Sequence, residues 1–235
     1  MYNTIIFDLD GTLLNTIEDL KDATNYALRK FNYPERTLEE ITSFVGNGVA
    51  VLIHKALPEN DKSKETEVLA CFKEYYEIHS MDKTGPYEGI IDLLAELKNR
   101  NIKMAIVSNK FQEGVTIICE PLFGKYISVM IGEHEGVNKK PAPDMVYQAM
   151  KMLETDPQKT VYIGDSDVDI ATAKNSHLDA IGVSWGFRGR KFLEDLNVKQ
   201  IVDKPIEILN YIEKWKTNQI DSFLFYIYNI FLSFN

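Results

Sequence analysis

Four short stretches of this chain carry residues able to work on an anion, and each follows an apolar run. The first is Asp8-Leu9-Asp10-Gly11-Thr12, directly after residues 4–7. Carboxylates two residues apart at the end of a strand point the same way, so Asp8 and Asp10 are expected to act together. A DG pair alone is a common turn signal; an apolar strand running into DxDGT is far more specific. The second stretch is Ser108-Asn109, after residues 104–107; a lone serine there is usually a turn or capping residue. The third is Lys140 in Lys139-Lys140-Pro141-Ala142-Pro143-Asp144, where a lysine is ordinarily solvated. The fourth is Gly164-Asp165-Ser166-Asp167-Val168-Asp169, whose acids suit a helix cap or the oxygen ligands of a hard cation such as Mg²⁺. None of the four contains Cys or His, which disfavours zinc. Each has a bland reading taken singly. Four in this order, each at a predicted strand end, point to one site.

The elements that must hold these residues follow from periodicity. Residues 4–7 read as a buried strand. Thr16 with Asp19 three residues on has the spacing of a capping box and opens a helix through Phe31, which Pro34 stops. Thr37 and Glu40 repeat the box for a second, short helix. Gly46-Asn47-Gly48 breaks the pattern, and residues 49–57 and 64–79 read as two more helices. After Pro86, strands at 104–107, 127–131, 160–163, 180–183 and 201–202 alternate with helices, the last of which starts at Pro205. That alternation predicts a parallel sheet covered on both faces, an α/β Rossmann-like core with an inserted all-helical segment. In such sheets ligands sit beyond the carboxyl ends of the strands. The expected division is a core of residues 1–14 and 85–215, an insert of 15–84, and an apolar C-terminal tail of 216–235.

Composition bounds the rest. With 235 residues, 45% of them hydrophobic, the chain can bury one large core or a core plus a smaller unit. A formal net charge of -9 argues against broad nucleic-acid binding, but a local site can still be positive enough to take an anionic substrate. Cys71 and Cys119 fit no metal or redox spacing, and reduced cysteines in a cytoplasmic protein are the expectation. The N-terminus lacks the pattern of a signal peptide. Residues 220–234, rich in aromatics and nearly uncharged, are shorter than a bilayer-spanning helix. They are expected to pack on the core or on a partner chain, which leaves a homodimer open.

FDLDGTLLNT (7–16), FVGNGV (44–49), VSNK (107–110), KKPAPD (139–144), IGDSDVDIATAKN (163–175) and GVSWGFR (182–188) together resemble the haloacid dehalogenase-like superfamily, in the phosphoglycolate-phosphatase branch with a helical cap. The resemblance covers residues 2–214. It implies a Mg²⁺-dependent phosphatase that acts on a small phosphate monoester, with 2-phosphoglycolate as the leading substrate. Asp8 would attack phosphorus and become an aspartyl phosphate. Asp10 would protonate the leaving oxygen and then activate water. Dehalogenases of the superfamily lack this second acid, so its presence points to phosphoryl chemistry. Lys140 would screen charge, and Ser108, Thr12 and Asn109 would bind phosphoryl oxygens. Asp8, the carbonyl of Asp10, and Asp165 would hold the metal, with Asp169 orienting its waters or Lys140. Gly46, Asn47 and Gly48, at the start of a helix, would present N–H groups to a carboxylate. Arg188, His54 and Lys55 are the candidate cations near the mouth. Relatives in this branch often have an arginine where this chain has Ala50. A sugar phosphomutase, a pyrophosphatase or nucleotidase of the same superfamily, and a binding protein on the same fold remain alternatives.

Overall fold

The computed structural model of the chain describes residues 2–212; the expectation for residues 216–235 falls outside them. Among the described residues no helix is long and apolar enough to cross a membrane. A first strand, β1 (Thr4–Phe7), leads through a tight turn into β2 (Leu14–Asn15) and four helices, α1 (Ile17–Lys30), α2 (Leu38–Phe44), α3 (Val49–Ala56) and α4 (Glu65–His79). The chain returns through β3 (Gly85–Pro86) and then alternates: α5 (Ile90–Asn99), β4 (Lys103–Phe111), α6 (Gln112–Phe123), β5 (Val129–Glu133), α7 (Asp144–Met152), β6 (Thr160–Gly164), α8 (Asp167–Asn175), β7 (Asp179–Val183), α9 (Gly189–Asp195) and β8 (Ile201–Val202). Residues 207–212 are helical.

Six strands form one sheet in the order β5-β4-β1-β6-β7-β8, all paired in parallel. β1 is buried along its whole length because helices cover both faces, which is why it reads as a continuous apolar run rather than an alternating one. Ile5 and Phe7 pack with Leu94, Ile118 and Cys119 on one face. Ile6 packs with Met145, Val146 and Ala149 of α7 on the other. The strand order reverses at β1, so the carboxyl ends of β1, β4 and β6 converge on the crevice where such sheets bind ligands.

The helical insert packs mainly on itself. Tyr26 of α1 stacks on Tyr75 of α4 at 4.1 Å between ring centroids. The outgoing and returning chains pair antiparallel, Leu14 with Pro86 and Asn15 with Gly85, so both crossings lie side by side.

The structure differs from the sequence reading at several points. Thr37 and Glu40 do form a reciprocal capping box, but Thr16 and Asp19 do not. The Thr16 side chain makes no capping bond. Asp19 instead accepts from the backbone N–H of Lys83 (3.1 and 3.0 Å) and of Thr84 (2.8 Å) in the returning chain. These long-range donors are invisible to local spacing. The strand expected to end at Val107 continues to Phe111 through a break in register after Val107, so Ser108, Asn109 and Lys110 belong to an irregular strand end rather than to a turn. The β2–β3 pair and α9 were not foreseen; the strand pair is only two residues long on each side.

Candidate active site

The carboxyl ends of β1, β4 and β6 place Asp8, Ser108 and Asp165 around one cavity, with Lys140 entering from the loop before α7. All four side chains are buried. Lys140 Nζ is 2.6 Å from Asp8 Oδ1, 2.8 Å from Asp169 Oδ1 and 3.1 Å from the Tyr162 hydroxyl. The ammonium is thus fixed from three sides. Burial alone would push Lys140 down, but Asp169 and Asp8 outweigh it and hold its proton firmly. Asp169 is committed on both oxygens: Oδ1 to Lys140, and Oδ2 to the N–H (3.1 Å) and hydroxyl (2.6 Å) of Ser166 in a reciprocal capping box at the start of α8.

Two glycines make room for this packing. Gly11 has φ +92°, a conformation costly for other residues, and a Cβ there would lie 2.7 Å from Asp165 Oδ2. At Gly164 a Cβ would fall 2.3 Å from Asp169 Cβ. Asp165 Oδ2 accepts from the backbone N–H of Phe187 at 2.7 Å. That leaves its other oxygen to the cavity.

Acids this close and this buried form a candidate cation site. Carboxylate oxygens of Asp8, Asp165 and Asp169 lie within 4.8 Å of one another. Burial, then repulsion from Asp169, pushes Asp8 up to about 7 despite Lys140. Burial, then Asp169 and Asp8, raises Asp165 well above the usual carboxylate range. A divalent cation would relieve both, and an all-oxygen donor set suits a hard one.

The insert closes the other side of the cavity. Leu20, Val45, Val49, Leu52 and Phe72 form an apolar wall, with Gly46 and Gly48 at the N-terminus of α3. Three side chains of the sheet reach across to it. Arg188 donates to the carbonyls of Thr42 (2.9 Å) and Val45 (2.8 Å) at the end of α2. Asn109 donates to the carbonyl of Gly46 (3.1 Å) and exchanges two hydrogen bonds with the Lys140 backbone. Lys110 donates to the hydroxyl of Tyr76 in α4 (2.9 Å).

Measured against the sequence expectations, Asp8, Asp10, Ser108, Asn109, Lys140, Asp165, Gly46, Gly48 and Arg188 all line this cavity. Thr12 and Asn47 do not: Thr12 is fully buried in the turn after β1, where its carbonyl accepts from the Trp185 indole. His54 and Lys55 stand away from the cavity, on exposed positions of α3, with His54 paired to Glu65 at 3.0 Å. The helix turns both away from the sheet. Ala50 is exposed as well and lies outside the cavity lining. Three residues had no role in the sequence reading: Tyr162 in mid-strand, Tyr76 on an amphipathic helix, and Lys110, which enters only as the last residue of VSNK (107–110). Only the tertiary fold brings them to the site.

The profile of the haloacid dehalogenase-like hydrolases matches residues 5–183. The chain belongs to this family. Among relatives of this hydrolase, Phosphoglycolate phosphatase 1 of Pseudomonas aeruginosa is 33% identical over 200 residues, 81% of this chain and 73% of the relative. Pyrophosphatase PpaX of Bacillus mycoides is 27% identical over 208 residues, 88% of this chain and 95% of the relative. A crystal structure from Lactobacillus delbrueckii subsp. bulgaricus, provisionally named a phosphoglycolate phosphatase, superposes with a TM-score of 0.83 at 38% identity, covering 88% of this chain and 96% of that one. The family, the relatives and the two aspartates of the first motif make this hydrolase a phosphatase acting on phosphoric monoesters.

Proposed function

We propose that this hydrolase cleaves a small phosphate monoester by Mg²⁺-dependent transfer of the phosphoryl group to Asp8, with 2-phosphoglycolate as substrate and glycolate and phosphate as products. The observation that carries the reading is the arrangement of Asp8 and Asp10 on one turn, with Lys140 2.6 Å from Asp8 Oδ1 and an apolar wall opposite.

Asp8 engages Lys140 through Oδ1, which leaves Oδ2 to attack phosphorus in line and form the aspartyl phosphate. Lys140, fixed by Asp169 and Tyr162, holds positive charge beside the phosphoryl oxygens without having to move during reaction. Ser108 is buried at the same strand end, where its hydroxyl accepts from the N–H of Lys110 at 3.1 Å and its proton is available to a phosphoryl oxygen. Asp10 lines the cavity beside Asp8, with Lys110 Nζ 3.1 Å from its Oδ1, and is placed to hand a proton to the leaving oxygen and then take one from water. When bound, Mg²⁺ would be held by Asp8, Asp165 and the carbonyl of Asp10, and would screen the substrate dianion from the attacking carboxylate. Asp169, saturated by Lys140 and Ser166, would act through Lys140 rather than as a direct ligand. The helical insert would serve as a cap that excludes water from the aspartyl phosphate and contacts the leaving group.

A second reading, pyrophosphate hydrolysis, is favoured by the Bacillus mycoides relative, which matches across nearly its full length. A panel of 2-phosphoglycolate, pyrophosphate, sugar phosphates and nucleoside monophosphates with purified enzyme and Mg²⁺ tests both. The expected result is highest kcat/KM on 2-phosphoglycolate with stoichiometric phosphate release. A tenfold advantage for pyrophosphate or a nucleotide overturns the substrate assignment. Conversion of a sugar phosphate to its isomer with little free phosphate would mark a mutase.

A further inference from the structure

Lys110 and Lys140 bring the two ammonium groups to the cavity lining, and the chemistry above uses only Lys140. The Lys110 side chain is 4% exposed. Its Nζ lies 2.9 Å from the Tyr76 hydroxyl, 4.7 Å from the centroid of the Tyr76 ring and 3.1 Å from Asp10 Oδ1. An ammonium has three N–H groups. Tyr76 takes one. Asp10 Oδ1, at ion-pair distance, takes a second. A buried cation with one unspent donor therefore faces a pocket whose opposite wall is apolar.

We propose that Lys110 selects substrates whose leaving group carries its own negative charge, reading that charge beside the leaving oxygen. This deepens the reading under Proposed function and rests on it. The reach follows from Asp10. A leaving oxygen that takes its proton from Asp10 must come within hydrogen-bond distance of that carboxylate, and Lys110 is already within that distance of Asp10 Oδ1. An anionic group one or two bonds beyond the leaving oxygen then falls on the ammonium. Two substrates meet this chemistry, the carboxylate of 2-phosphoglycolate and the second phosphate of pyrophosphate.

The other side chains of this wall leave the task to Lys110. The α3 residues that line the cavity are Val49 and Leu52. Arg188 is engaged by the carbonyls of Thr42 and Val45. Tyr76, whose hydroxyl burial pushes up to about 12, stays neutral and accepts from Lys110 without competing as an anion. Because Tyr76 belongs to the insert and Asp10 to the turn after β1, the ammonium is held from both sides of the cavity. An uncharged leaving group leaves a buried cation unpaired, a mismatch that enzymes reject strongly.

The test compares wild type, Lys110→Met and Lys110→Arg on 2-phosphoglycolate, pyrophosphate and ethyl phosphate, whose leaving group is small and neutral, with Mg²⁺ throughout. Circular dichroism and the melting temperature establish that each variant is folded, and Lys110→Gln replaces the Met variant if that one is not. In the neutral variant, kcat/KM on the preferred anionic substrate should fall roughly 10- to 100-fold more than on ethyl phosphate, as expected for loss of one charge-assisted contact. Lys110→Arg should recover most of the difference, and which anionic substrate is affected tells carboxylate from phosphate. Equal losses on all three substrates would show that Lys110 acts only through Asp10 and would overturn the proposal, as would a wild-type preference that survives in Lys110→Met. A wild type that turns over ethyl phosphate as well as both anionic substrates would overturn the underlying reading instead.

Discussion

The two walls of the cavity are built on different principles. On the sheet side, Asp8, Asp165, Asp169 and Lys140 are buried ionic groups that fix one another, backed by glycines that admit no other side chain. On the insert side the wall is apolar, and it is held to the sheet by a few hydrogen bonds from Arg188, Asn109 and Lys110. The first wall is rigid because every charge in it depends on its neighbours. The second is apolar, and the insert groups that tie it to the sheet side are neutral carbonyls and a hydroxyl. The difference teaches that one wall is positioned by buried charge, and the other by hydrogen bonds that the sheet side gives to it.

The largest expected effect tests the rigid wall. Asp8→Asn should lower turnover by roughly 10⁴-fold or more on every substrate, because an amide is a poor nucleophile of the same size, while the melting temperature changes little. Activity near wild type in a clean preparation would remove Asp8 from the mechanism.

Lys140→Met strikes the same wall through its charge balance. It leaves Asp8 and Asp169 without their shared cation, and breaking such a buried pair costs about 3–5 kcal/mol. A urea titration should show the midpoint fall accordingly, together with loss of turnover. An unchanged midpoint would mean that the ion triad does not hold the wall together.

Metal removal sharpens the comparison further. Without a cation, Asp8 titrates near 7 in the folded chain and near the usual carboxylate value when unfolded. The folded state then binds more protons across that window, so the stability of EDTA-treated protein should fall as pH rises from about 4 to about 7. Added Mg²⁺ should raise the melting temperature more at pH 8 than at pH 5. Equal stabilisation at both pH values would show that the carboxylates are not the ligands. Full turnover after exhaustive chelation would exclude the metal requirement itself.

The smallest effects belong to the insert wall. Asp19→Asn weakens the carboxylate that ties α1 to the backbone at Lys83 and Thr84, and about 1–3 kcal/mol is at stake in such a buried acceptor. Its kcat and KM should shift together, as for a hinge. Arg188→Gln should raise KM severalfold and leave the sensitivity to Asp8→Asn unchanged. A loss as deep as that of Asp8→Asn would place Arg188 on the reacting atoms.

The sequence by itself determined the sheet and the motif ends, because a buried parallel strand must be continuously apolar and the acids at its carboxyl end then have one direction to face. β1, with Asp8 and Asp10, and β6, with Asp165, were legible for that reason, and so was the capping box at Thr37 and Glu40. The tertiary structure alone decided what lies opposite. Asp19 turned from local capping to a linker more than sixty residues away, because two backbone N–H groups converge there. Arg188 became a latch because carbonyls left open at the end of α2 point at it. Lys110 became a buried cation because β4 breaks register after Val107 while α4 brings Tyr76 over it. Periodicity encodes which face of an element is buried; it does not encode which element arrives to bury it.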